Sequence, residues 1–193
     1  MKKARDINIK NILIVFLIAF ISANSFGQNF KYINKAERLI DANIRLDRAL
    51  KLLDKAEKVD YGFCGNSRIT AFWHINYLKA RVYYKKKELK LALTHLDSIN
   101  GCMFGGNCKK SDSLKYKIIG ELYGKKKVLT LLKNLSDSVI TYTDVWMERN
   151  ICLHLDSIDY NFCFSFDPII FKNNEKLTLN KIFIKMNIYG RFE

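Results

Sequence analysis

Three histidines, five cysteines and two lysine triplets are the residues of this chain whose types and spacing invite chemistry. His95 and His154 open the same pentapeptide, His-Leu-Asp-Ser-Ile, at 95–99 and again at 154–158. Each copy has the composition of a serine–histidine–aspartate relay. Its spacing is too tight, because one helix or strand cannot set nucleophile, base and orienting carboxylate in sequence. His74 stands apart from both. No histidine sits in a His-Glu-x-x-His pattern, and no cysteine pair has the two-residue gap of a zinc site. Gly101, Gly105 and Gly106 do not make a phosphate cradle, because no strand precedes them and no Gly-Lys-Ser/Thr follows. Glu37, Asp41 and Asp47 read as solvated helix-face charges. The expectation is a non-enzymatic protein with no cofactor and no metal.

The cysteines are Cys64, Cys102, Cys108, Cys152 and Cys163. An odd count leaves at least one unpaired within a monomer. Cys102 and Cys108 flank a short glycine-bearing loop and could close on each other. Cys152 and Cys163 could pair across a hairpin, which leaves Cys64 over. Burial of all five as small apolar residues is the alternative.

The lysines point to binding. Ala80, Tyr83 and the triplet Lys85, Lys86 and Lys87 are echoed forty residues later by Gly120, Tyr123 and the triplet Lys125, Lys126 and Lys127. If these are turns of stacked hairpins, six ammonium groups share one basic edge that would gather anions. The plainer reading is a pair of solvated turns. A second candidate surface is aromatic: Phe72, Trp73, Tyr77 and Tyr84 exceed what one helix needs for its core, the plainer role for most of them being core packing.

These residues must be carried by helices. From Phe30 to about Leu135 there is no proline and the apolar residues recur at helical period. Ile33, Ala36 and Ile40 make one stripe, and Leu46, Ala49, Leu50, Leu53 and Ala56 the next. An aromatic-rich helix is expected over 70–84, a turn at 85–88, and a partner over 89–99 with Leu89, Ala92, Leu93 and Leu96 inward. A further helix is expected over 114–123, then a second lysine turn, then a helix over 128–135. Within this stretch Ala80, Tyr83, Ala92 and Leu96 follow an order of small, aromatic, small and bulky residues. The order resembles that of tetratricopeptide repeats. Ala49, Leu53 and Ala56 match only the second half of it, and Gly120, Tyr123, Leu131 and Leu135 match with one residue deleted. The forty-residue spacing exceeds the family's period of about 34, its hairpin-ending proline is absent, and its Trp-Leu-Gly signature is missing although Trp73 and Tyr77 lie near that place. The resemblance covers residues 30–136. It implies stacked antiparallel hairpins whose first helices line a concave face where a partner's extended segment docks.

After about Ser138 the period changes. Residues 158–166 alternate polar and apolar, as do 182–188, with Pro168 between them. A small antiparallel meander over 158–189 is expected. Residues 139–155 read equally as a strand or as a fourth, degenerate helical hairpin.

The N-terminus reads as an address. Lys2, Lys3, Arg5 and Lys10 precede an apolar run from Ile12 to Ala23, and Ser25 and Gly27 place small residues before a cut at Gln28. That order is a secretory signal peptide, shorter than the roughly 20 apolar residues of a membrane anchor. The expected organisation is a signal peptide at 1–27, a helical-hairpin region at 28–137 and a C-terminal segment at 138–193, β-rich from about 158. The whole chain carries a net charge of +14, and residues 28–193 carry 29 basic against 18 acidic residues. Such a protein can meet anionic surface groups or an acidic protein face. Export makes nucleic acid a poor partner and lets disulfides persist. The expected function is an interaction scaffold for another protein in the cell envelope, in the periplasm or secreted, with no stable membrane span after signal cleavage. The rival reading is a small secreted effector, inhibitor or immunity-like protein that binds through its β-rich segment.

Overall fold

The computed structural model describes residues 30–62, 65–99, 108–140, 149–166 and 177–192. The expected signal segment, Cys64, Cys102, Pro168 and the glycine loop 101–107 lie outside the described residues, as does the side chain of Cys108.

The first hairpin is α1 (Lys31–Asp41) and α2 (Leu46–Glu57). Each has one apolar stripe, and the stripes meet. Ile33, Ala36 and Ile40 are buried against Ala49, Leu53 and Ala56. The three alanines permit close approach. The turn is closed at Asn43, whose φ is 53°. The Asn43 amide donates to the Ile40 carbonyl and the Ile44 amide to that of Leu39, both at 3.0 Å. This pair of bonds satisfies carbonyls that a helix end leaves unpaired.

The second hairpin is α3 (Gly65–Lys85) and α4 (Leu89–Asp97). It follows the expected packing, with Ala92, Leu93 and Leu96 buried. Helix α3 is longer than its aromatic stretch and apolar on several faces, because it is a shared wall. Ala71, Ile75, Leu78 and Val82 close the first core, Ala80 belongs to the second, and Tyr77 touches both. Lys79 is buried between the hairpins, its Nζ 2.8 Å from Asp54 Oδ1 and from Glu57 Oε1. Burial opposes its charge, and the two carboxylates overcome that cost and raise its pKa.

The third hairpin is α5 (Cys108–Tyr123) and α6 (Lys125–Asn134). Its turn is one residue, Gly124, at φ 86°. Lys125, Lys126 and Lys127 are therefore not a turn, as their echo of 85–87 suggested. They form the first turn of α6. Glycine reverses the chain alone, and lysine is a good helix former. Gly120 is buried under this turn. A Cβ there would stand 2.9 Å from Lys125 Cγ, so a larger residue at this place of the repeated pattern would push the Lys125 stem aside.

The C-terminal part caps the third hairpin. β1 (Val139–Ile140) pairs antiparallel with β4 (Leu177–Thr178). β2 (Arg149–Leu155) pairs antiparallel with β3 (Tyr160–Phe166), and a short 3-10 turn joins them. The alternating residues at 160–166 thus find their partner upstream, and 149–155 is strand rather than a fourth helical hairpin. Cys152 and Cys163 face each other in this register and form a disulfide.

The second alternating run is not a strand. Leu179–Lys185 is a helix, α7. Both periods are written there. A strand would align Ile182, Ile184, Met186 and Ile188, whereas a helix aligns Leu179, Ile182, Phe183 and Met186. Thr178 starts the helix, its hydroxyl accepting the Lys181 amide at 3.3 Å as an N-cap. Leu179, Ile182 and Phe183 are buried, and Ile184 is left 63% exposed. The second core runs without a break from α3 through α6 to Phe192, and Tyr160, Phe162, Phe164 and Phe183 fill its C-terminal wall.

Candidate functional site

Helical spacing places Tyr77, Arg81, Tyr84 and Lys85 on one face of α3. Opposite them α5 presents Lys109, Lys110, Ser113, Leu114 and Lys117. Between the two helices lies an open cavity of about 680 Å³. Five of its nine lining residues are cations and none is an acid. Trp73, which does not line the cavity, is buried and stacks on Tyr77 at 5.1 Å between ring centroids. The His74 ring lies 5.2 Å from the Trp73 ring, tilted at 58°. The Trp73 Nε1 is the one buried side-chain nitrogen or oxygen among the described residues without a hydrogen-bond partner.

The two walls differ in how their charge is balanced. On the α3 side, Arg81 Nη2 lies 2.6 Å from Asp41 Oδ1 and Lys85 Nζ donates to Asn43 Oδ1 at 3.2 Å. Both partners belong to the end of the first hairpin. On the α5 side, Lys117 Nζ sits 5.1 Å above the Tyr84 ring, and the Tyr84 hydroxyl donates to Glu121 Oε1 at 2.6 Å. The Tyr84 hydroxyl and the nearby Glu121 charge raise the Lys117 pKa. Among the described residues neither Lys109 nor Lys117 has an ion-pair partner. Burial lowers the His74 pKa, Glu37 opposes that shift and Lys110 adds to it.

The residues singled out in the sequence therefore divide. Tyr77 and Tyr84 line the groove. Trp73 does not line it but is buried against the Tyr77 ring. Phe72 is 51% exposed but stands roughly 140° around α3 from Tyr77, and it does not line the cavity. The lysine triplets do not make one free edge. Lys86 is held by Asp47 at 3.1 Å and Glu88 at 3.3 Å, and those carboxylates raise its pKa. Lys87 Nζ lies 5.7 Å from the Tyr84 ring. The Lys125 stem packs at Gly120, Lys126 is exposed, and Lys127 donates to the Ser157 carbonyl at 3.2 Å. Only Lys85 of the six lines the groove.

Arg81, Lys109, Lys110 and Lys117 escaped the sequence reading. Lys109 and Lys117 are eight residues apart on α5, hence on one face. That spacing is visible in the sequence, but its meaning depends on α3 lying opposite.

The histidine pentapeptides are held in the fold by side-chain bonds, some of them between elements. His95 Nδ1 lies 3.0 Å from Asn76 Oδ1, and Ser98 Oγ donates to the Thr94 carbonyl at 3.0 Å. His154 Nδ1 lies 2.9 Å from Asn161 Oδ1, with Nε2 3.3 Å from Asp156 Oδ1. Among the described residues no group of three or more histidines, cysteines and carboxylates is placed to hold a metal ion. No helix among them is long and apolar enough to cross a membrane. Compared with known proteins, the chain matches no protein-family model, no curated protein and no solved structure.

Proposed function

We propose that this chain is an exported, non-enzymatic interaction scaffold built on tetratricopeptide-like hairpins, and that it holds a partner protein of the cell envelope in the groove between α3 and α5. The observation that carries this reading is the cavity of about 680 Å³ between two successive first helices, walled by tyrosines and cations. Tyrosine and arginine are the residue types that dominate protein interfaces. The length and apolar run of residues 1–27 support export. The rival, binding through the β-rich segment, has less support. Tyr160, Phe162 and Phe164 turn inward and are consumed by the core, which leaves Cys152, His154 and Asn161 as the exposed face of that hairpin.

Site-specific photocrosslinking in whole cells tests the proposal. A photoreactive residue at Ser113, exposed in the groove, should give a discrete protein adduct. The same residue at Lys51, exposed on α2, should not. Equal labelling from both positions, or no protein adduct from Ser113, rejects the groove as the partner site.

A further inference from the structure

The charge of the groove narrows what can fill it, granted that it is the partner site. We propose that its occupant is an extended acidic segment with carboxylates four residues apart and an apolar side chain midway between them. Three observations lead there.

The first is sign. Five cations line the cavity without an acid among them, and a cleft lined by one sign of charge concentrates the opposite sign. The second is asymmetry. The α1 end of the fold already supplies Asp41 and Asn43 to Arg81 and Lys85. Lys109 and Lys117, both exposed, have no carboxylate within ion-pair distance among the described residues. The α5 wall is therefore where incoming carboxylates gain most. The third is length. Eight residues of α-helix advance about 12 Å. An extended chain advances about 3.3 Å per residue and shows every second side chain on one face. Residues i and i+4 of such a segment lie about 13 Å apart on the same side, which matches Lys109 and Lys117. Residue i+2 then falls over Leu114, the one aliphatic residue of the lining.

Short fluorescent peptides and the purified protein decide this by anisotropy. The probe is a serine-rich peptide carrying Glu-Ser-Leu-Ser-Glu. Its controls are the Gln-Ser-Leu-Ser-Gln peptide and one of equal composition with adjacent glutamates, which point to opposite sides. The i, i+4 peptide should bind about 10-fold tighter than either control. Charge reversal at K109E/K117E should weaken it by about 10-fold or more. The remote pair K51E/K55E makes the same change in net charge on α2 and should cost less than about 2-fold. Thermal melts confirm that both double variants fold. Equal binding of the glutamine peptide, or equal loss in the two double variants, overturns the acidic segment. So does binding of a sulfated polysaccharide that depends on Lys109 and Lys117 when no peptide binds. If Ser113 still crosslinks to a protein in any of these cases, the groove remains a partner site and only the segment's chemistry is wrong. If that crosslink also fails, the groove itself is wrong.

Discussion

Residues 95–99 and 154–158 are the same five amino acids in two different structures. The first copy ends helix α4, and the second leaves strand β2 and enters a 3-10 turn. Their side chains nevertheless do similar work. Leu96 and Leu155 are each 2% exposed and lie in the same core. Ile99 and Ile158 both pack at its margin. Each histidine meets an asparagine oxygen, Asn76 from the neighbouring helix in one case and Asn161, the cross-strand partner, in the other. The pentapeptide does not choose its backbone. Its flank does. Upstream of the first copy, Leu89, Ala92 and Leu93 extend through Leu96 at helical period. Upstream of the second, Ile151 and Leu153 extend through Leu155 at period two. Burial of the leucine is common to both, so the apolar contact is specified locally and the conformation by its neighbours.

The aspartates are where the copies part. Asp97 takes Lys115 Nζ at 2.7 Å and the Tyr160 hydroxyl at 3.0 Å, and so ties the helical hairpins to the C-terminal cap. Lys115 also donates to the Cys163 carbonyl at 3.2 Å. Burial raises the Tyr160 pKa, and the negative charge of Asp97 raises it further. Asp156 is almost wholly exposed.

The leucines offer the largest test of the likeness. Leu96→Ala and Leu155→Ala should each cost about 2–5 kcal/mol, because both empty space in one core that relaxes only partly. Urea unfolding followed by circular dichroism reads both. A cost for Leu155→Ala below about 1 kcal/mol would show that the strand copy is an appendage and not a wall of the fold.

The same contrast explains what the sequence made legible. The stripes of α1, α2 and α4 could be read because each helix buries one face, so period and burial coincide. The hairpin β2–β3 could be read in part, since Tyr160, Phe162 and Phe164 alternate without interruption. At 179–188 two periods overlap, and the helical one prevails because it buries Leu179, Ile182 and Phe183 together behind the Thr178 N-cap. The groove was half legible. Tyr77 and Tyr84 stand out by type, but the cations opposite them lie on a helix whose position follows from packing around α3. Trp73 reads as a contact residue because it belongs to an aromatic set larger than one helix needs for its core. Its ring instead supports Tyr77, a role set by the face of α3 on which it falls.

The aspartates give the next, smaller effect and break the likeness. Asp97→Asn weakens a charged hydrogen bond and a close ion pair, and should cost about 1–2 kcal/mol. Asp156→Asn should stay within about 0.5 kcal/mol, as exposed substitutions do. Equal effects in the same urea titrations would mean that the Asp97 bridge adds nothing to the docking of the cap.

The histidine of the helical copy gives the smallest effect, and a pH titration isolates it. The Asn76 side-chain amide donates to the Phe72 carbonyl at 3.0 Å, so its oxygen is free to accept from His95 Nδ1. The His95 ring is stacked on Tyr83, with 5.4 Å between centroids. Burial lowers its pKa and the Lys79 ammonium lowers it further, against the opposing pull of Glu57 and Asp54. With the folded-state pKa below the ordinary histidine value, the unfolded chain binds the proton first. Stability from this group is therefore complete above about pH 6.5 and declines as pH falls toward the lowered folded-state value, by at most about 1.4 kcal/mol per pH unit. His74, lowered chiefly by its own burial, adds a loss of the same sign. His95→Gln should lower stability at pH 8 through the lost stacking, yet make its acid-side decline shallower, with His74 supplying the part that remains. An unchanged slope in H95Q between pH 6.5 and 5 would show that His95 takes up its proton over the same pH range folded and unfolded, so that neither its burial nor the Lys79 charge shifts it.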